Sequence, residues 1–426
     1  MPATRVPKDY SEEEGGWKAA LQRAHSWMSD ANHSAAKALR LRLLQPLLYL
    51  GVAFTGAGVV LLGCILPRLS AEWHLRDKDA GLLLLVQFAT SASGALLVRR
   101  NLWQTLACGY ALFGSGAMGI FLLQNRALPA FAVYGLGLGL AMTSSNMLIA
   151  RRNPNRKGAA LAILNFSWSA GAVACPLLAA RFLRPASHGA AFGLLGLLVL
   201  PFVLLPLFAD QRDLDAPAGL GPSFGGLREA RAISYFALLA FLYVGMESAV
   251  GNWMSTFAIR AASWSFSGSS LAVSVFWAAL LLGRLLTPEM LAILPERRLY
   301  RASVVATIAG ISLLLAAHGP RTVLAGSVLT GLALAPMFPL IISLLMAEMG
   351  ESRNAGWVFA TAGLGGAVLS WLTGTVSTDT GSLRIGLLVP AGAALLMMAL
   401  ITWRRSNPET RRTQEPILQP TLTEKV

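Results

Sequence analysis

Runs of mostly apolar residues alternate with short polar or basic stretches along nearly the whole chain. A helix that rises 1.5 Å per residue needs roughly 20 such residues to cross a hydrocarbon core about 30 Å thick. Twelve runs qualify, at 45–67, 80–98, 104–123, 128–150, 158–180 and 189–209, then at 233–259, 268–287, 299–318, 322–345, 356–376 and 384–403. Between the two sets lies DQRDLDAPAGLGPSFGGLREAR, a polar stretch rich in Pro and Gly that reads as a linker. The pattern predicts an all-α integral membrane protein with an N-terminal tail (1–44), a six-helix half (45–209), a linker (210–232), a second six-helix half (233–403) and a C-terminal tail (404–426). The first 44 residues lack the apolar core of a cleaved signal peptide. Trp17, Leu21, Ala24 and Met28 fall at helical spacing there, which fits either a membrane-surface helix or a disordered tail.

Composition agrees: 55% of the 426 residues are hydrophobic and only 13% are charged, with a mean hydropathy of +0.57. Soluble enzyme classes are disfavoured by these values. The net charge of +14 would suit nucleic acid if it formed one patch, but 26 of the 35 Lys and Arg fall on the side that carries both tails and the linker. That asymmetry puts the termini in the cytoplasm of a cell or inner membrane and removes the need for a nucleic-acid partner. Cys64, Cys108 and Cys175 sit in apolar runs, with neither a disulfide framework nor a zinc spacing. Gly135, Gly137 and Gly139 lie at mid-bilayer with no preceding strand, so they read as packing positions rather than a nucleotide loop. No cofactor is called for.

The halves also echo each other. Gly94-Ala95-Leu96-Leu97 is answered by Gly283-Arg284-Leu285-Leu286, GLGLAM at 137–142 by GLALAP at 331–336, and GAV at 171–173 by GAV at 366–368. The near-constant offset carries more weight than any single match. Two six-helix halves joined by a cytoplasmic linker is the plan of a major facilitator superfamily transporter, which the chain resembles. Within it, YVGMESAVGNWMSTF at 243–257, FWAALLLGRLL at 276–286 and LALAPMFPL at 332–340 are similar to segments of the fucose permease family of sugar porters. Asn146 at the end of the fourth span and GAVACP at 171–176 fit the same family. There are departures. Val98 stands where the superfamily's latch carries an Asp ahead of Arg99 and Arg100. Fucose permease couples to protons through carboxylates in its first and fourth helices, and here neither helix carries one, with Gly63 and Met142 near the matching places.

Of the 21 acidic residues, only Glu247 lies near the middle of a span, and no midspan Lys or Arg offers it a partner in this reading. An ionisable group at that depth is costly unless it faces a cavity or a partner, which makes Glu247 the candidate proton carrier. Tyr243, Ser248, Gly251, Asn252, Met254 and Ser255 share its arc of the helix, a pattern that suits a cavity wall or interhelical packing. Gln87, Thr90, Ser144, Asn146, Asn165, Ser169 and Asn252 supply uncharged donors and acceptors, and Trp168 and Trp277 are candidate ring platforms or membrane anchors. The expected solute site is therefore Gln87, Asn146, Asn165, Trp168, Ser169, Tyr243, Glu247, Asn252 and Trp277, suited to a small neutral sugar or polyol. H+ is the candidate coupling ion, with Na+ as the alternative. Gly94, Arg99, Gly283 and Arg284 read as gating or latch residues. The superfamily default is a monomer working by alternating access. An efflux porter for amphipathic compounds is the runner-up, followed by a transport-dead sensor. An intramembrane enzyme lacks a midspan His, Asp or paired carboxylate.

Overall fold

The computed structural model describes residues 13–98, 101–182, 189–209, 227–349 and 356–406. The first half contains α1 (Glu13–Trp73), α2 (Asp77–Leu96), α3 (Leu102–Leu123), α4 (Leu128–Arg152), α5 (Lys157–Phe182) and α6 (Ala190–Val199), which continues as a 3-10 segment Leu200–Phe208. The second contains α7 (Leu227–Ala262), α8 (Phe266–Ile293), α9 (Glu296–Leu315), α10 (Pro320–Leu334), α11 (Met337–Met349), α12 (Gly356–Thr380), α13 (Leu383–Gly386) and α14 (Leu388–Ser406). Together they provide twelve segments long and apolar enough to cross a membrane, each overlapping one of the twelve predicted runs. Here α10 and α11 form the tenth, α12 the eleventh, and α13 with α14 the twelfth.

Four departures from the apolar pattern have physical causes or consequences. Residues 13–42, read as part of a tail, are helical and continue without a break into the first crossing. The crossing built on α8 extends past the predicted end at 287, because the helix runs through Pro288 to Ile293. Proline lacks the N–H that would reach the carbonyl of Arg284, a loss the helix tolerates here. The tenth crossing is interrupted at Ala335–Pro336, where Pro336 and then Pro339 deny the helix two donors. The sixth tightens to 3-10 geometry around Pro201 and Pro206.

Within each half, α1 packs on α5, α2 and α3 on α4, α7 on α12, and α8 on α10; across the halves, α2 packs on α12, α5 on α8, and α1 on α7. Small residues set how closely these helices approach. A Cβ on Gly171 would lie 1.8 Å from the Ala53 carbonyl oxygen, and one on Gly365 would lie 1.9 Å from that of Phe241. Gly94 meets Leu136 of α4 at 2.4 Å and Gly283 meets Ala335 at 2.5 Å in the same sense. The Gly94 and Gly283 pair is the structural counterpart of the sequence echo, whereas the approach that matches Gly171 falls on Gly365, one residue before Gly366 of the echo. Gly135, Gly137 and Gly139 likewise press α4 against the backbone of α2 and α3, the packing role expected of them.

Gly171→Val should lower the thermal midpoint of the purified protein, with an overpacking cost of about 1–3 kcal/mol or more. Gly158→Ala, where nothing lies within 4 Å of the added methyl, should leave it unchanged. Unfolding in detergent followed by tryptophan fluorescence separates the two.

Candidate functional site

The site is organised on α7. Tyr243, Glu247 and Gly251 are spaced four apart, so they form one stripe along the helix. The Tyr243 hydroxyl donates to Glu247 Oε2, and Arg284 Nη2 from α8 reaches the same oxygen at 3.3 Å and the Tyr243 hydroxyl at 3.3 Å. Phe338, placed at the start of α11 by the break at Pro336, stacks on Tyr243 with centroids 5.5 Å apart and planes at 27°. Glu247 therefore has a charged partner, contrary to the sequence reading, and Arg284 lies inside the bundle rather than at a latch. The reason is the helix end: with α8 continuing to Ile293, Arg284 sits more than two turns from the terminus. Among the described residues of the crossings, the other charged side chains lie close to a segment end. A pair of opposite charges that share a hydroxyl is what a low-dielectric interior can hold, since either ion alone would carry a large desolvation cost.

One turn from Glu247, the site is covered by tryptophan. A Cβ on Gly251 would lie 3.1 Å from Trp277 Cζ2, so the glycine makes room for that ring. Trp277 meets Trp168 of the other half edge-on, with centroids 5.6 Å apart and planes at 75°. On α5, Ser169 beside Trp168 is buried, whereas Asn165, one turn earlier on the same face, is exposed. The cover from α8 thus ends below the tryptophan pair, and the Arg284 side chain keeps 26% of its surface accessible.

Five of the nine expected ligands carry a buried polar atom with no protein partner among the described residues: Gln87 Oε1, Trp168 Nε1, Ser169 Oγ, Asn252 Nδ2 and Trp277 Nε1. Gln87 spends its amide nitrogen on the Val59 carbonyl at 3.3 Å. Asn252 packs where a Cβ on Gly63 would come within 2.6 Å of its Cα, joining α1 to α7. Asn146 and Asn165 are placed differently, each donating back to its own helix, to Met142 at 2.8 Å and Leu161 at 3.0 Å. The rest of the predicted arc on α7 divides. Ser255 bonds Ser269 and Met254 accepts from Ser327, which is packing within one half. Trp253 faces away, fully buried with its indole on the Ser370 carbonyl at 2.9 Å, and α7 is not unwound at Gly245 or Gly251. Of the latch residues, Gly94 and Gly283 pack inside their own halves. Arg99 lies outside the described residues.

Residues 48–355 match the family model of the Major Facilitator Superfamily. The chain belongs to that superfamily. Membership makes it a multi-pass membrane transporter rather than an enzyme, with a small solute as its substrate. It is similar to the glucose/mannose transporter GlcP of Bacillus subtilis (strain 168), 23% identical over 385 residues that cover 83% of this chain and 92% of that protein. It is also similar to Bypass of stop codon protein 6 of Saccharomyces cerevisiae, 23% identical over 393 residues, 80% of this chain and 77% of the other. Among solved structures, the superfamily transporter FucP in its outward conformation superposes with a TM-score of 0.57 at 19% identity, over 84% of this chain and 97% of that one. The fucose permease resemblance of the sequence is thereby matched at the level of fold.

A superfamily transporter must also join its halves reversibly, and here the junction lies at the end of the bundle opposite Leu43 and Trp403. Asp77 at the start of α2 takes both terminal nitrogens of Arg260, at 2.5 and 2.7 Å, and the Ser377 hydroxyl at 2.5 Å. The Lys78 amide donates to Thr378 at 2.8 Å, and Arg68 lies 3.7 Å over the Phe266 ring. Each contact joins the first half to the second. Sequence reasoning missed this clamp because its members lie hundreds of residues apart at loop ends, where charge is ordinary. The Arg260 side chain is 48% exposed, so water competes for it and the pair stabilises less than a buried one would.

Asp77→Asn should loosen this end. With Ala80→Cys as a reporter, fully buried one turn along from Asp77 in the unmodified protein, maleimide labelling should speed up by about fivefold or more when Asp77 is replaced.

Proposed function

We propose that the chain carries a neutral polyhydroxyl solute, a hexose or a similar polyol, by alternating access, with Glu247 as the proton-responsive group. The observation that supports this best is the set of uncommitted buried donors and acceptors on Gln87, Trp168, Ser169, Asn252 and Trp277, drawn from both halves. Hydroxyls give and accept hydrogen bonds, so they suit a mixed set of amide, indole and hydroxyl groups, and the apolar face of a sugar ring lies well on an indole. Similarity to the glucose/mannose transporter GlcP favours the same reading. An amide-rich lining speaks against an efflux site for amphipathic compounds.

Coupling follows from the ion pair. Protonation of Glu247 would cancel its attraction for Arg284, and a proton that binds one conformer better than the other shifts the balance between them. With Gly63 and Met142 in place of the family's carboxylates, the proton role moves to the second half. The basic asymmetry puts the termini in the cytoplasm of a cell or inner membrane. The clamp at Asp77, Arg260 and Ser377 then lies on the outer side, and this conformer faces inward. The unit is a monomer.

In proteoliposomes, glucose uptake by the unmodified protein should rise several-fold when the outside is made acidic. Glu247→Gln should retain glucose exchange and lose that acceleration. If no neutral sugar moves under either condition while lipophilic cations do, the efflux reading replaces this one.

A further inference from the structure

Glu247 and Arg284 leave several of their atoms uncommitted. Glu247 bonds through Oε2 alone, and Arg284 through Nη2 alone, so Oε1 of one and Nε and Nη1 of the other have no protein partner among the described residues. Gly251, one turn along α7 from Glu247, packs against Trp277, and the other charged side chains of the described crossings lie near segment ends. A guanidinium cannot discard its proton, so in this site its charge is balanced only while Glu247 is ionised. We infer that Glu247 is the charge filter of the solute site: it neutralises Arg284, so that the guanidinium serves neutral hydroxyls and the site refuses anionic sugars.

The inference rests on the sugar reading and assigns a specificity role within it. With Glu247 ionised, an entering carboxylate meets a negative charge already paired with Arg284, and two like charges in a low-dielectric site repel strongly. A vicinal diol meets no such barrier; one hydroxyl donates to Oε1 and another accepts from Nη1. With Glu247 made neutral and isosteric, Arg284 is left as an uncompensated fork of donors, the geometry that carboxylates bind in bidentate fashion. The Tyr243 hydroxyl is a donor and supplies no replacement charge.

The test is counterflow in proteoliposomes, which needs no gradient, with glucose and glucuronate as paired probes. The unmodified protein should strongly prefer glucose. Glu247→Gln, and Glu247→Ala as a second variant against a folding defect in the first, should raise the glucuronate-to-glucose ratio by about tenfold or more. Adding Arg284→Gln to Glu247→Gln should abolish that gain, which a merely structural role for Glu247 does not predict. An unchanged ratio in both single variants, with glucose still carried by the unmodified protein, overturns the filter. Failure of the unmodified protein to carry any neutral hexose overturns the sugar reading instead, and the filter with it.

Discussion

In a bilayer, backbone polar groups must find their partners inside the protein and a buried charge needs one too, and the arrangement of this chain follows from that constraint. The backbone meets it by forming helices. The single midspan carboxylate meets it through Arg284 and the Tyr243 hydroxyl. Around Glu247, α8 continues past Pro288 so that Arg284 lies within the helix rather than at its end, and Gly251 leaves room for Trp277 against α7. The interruption at Pro336 belongs to the same arrangement, because it delivers Phe338 to the face of Tyr243. Three features that look like defects in a membrane helix therefore converge on one ion pair.

The two halves share a plan but not a chemistry. Close glycine approaches recur in equivalent places, Gly171 against Ala53 in one half and Gly365 against Phe241 in the other. The midspan charge belongs to the second half, while the first contributes neutral groups from Gln87, Trp168 and Ser169. A solute that touches both sets bridges the halves, which is how binding can favour one relative orientation over another.

Most of this fold was legible in the order of residues, because hydrocarbon thickness sets a length that apolar runs either reach or miss. Glu247 was legible for the same reason: a lone carboxylate in an apolar run stands out. Arg284 was misread because the apolar run was taken to end at 287, three residues later, and a residue at a helix end needs no partner. The clamp of Asp77, Arg260 and Ser377 left no local signal at all, since the three come together only through the packing of α2, α7 and α12. Phe338 was hidden likewise; one aromatic residue in an apolar segment carries no sign of what it stacks on.

The locations of the tight and the breakable contacts bear on how the molecule moves. Within each half, helices meet backbone to backbone through glycine, and sliding such a contact means forcing a carbonyl against a Cα. Between the halves, Trp168 meets Trp277 edge-on, Asn252 packs on Gly63, and Ser274 donates to the Val173 carbonyl at 3.0 Å. The outermost contact is an ion pair whose arginine is half in water, so its loss on separation is largely recovered by hydration. Of the contacts between the halves, the outermost is the one that water can replace most readily. That contact, Asp77 with Arg260, lies at the far end from the accessible side of Arg284.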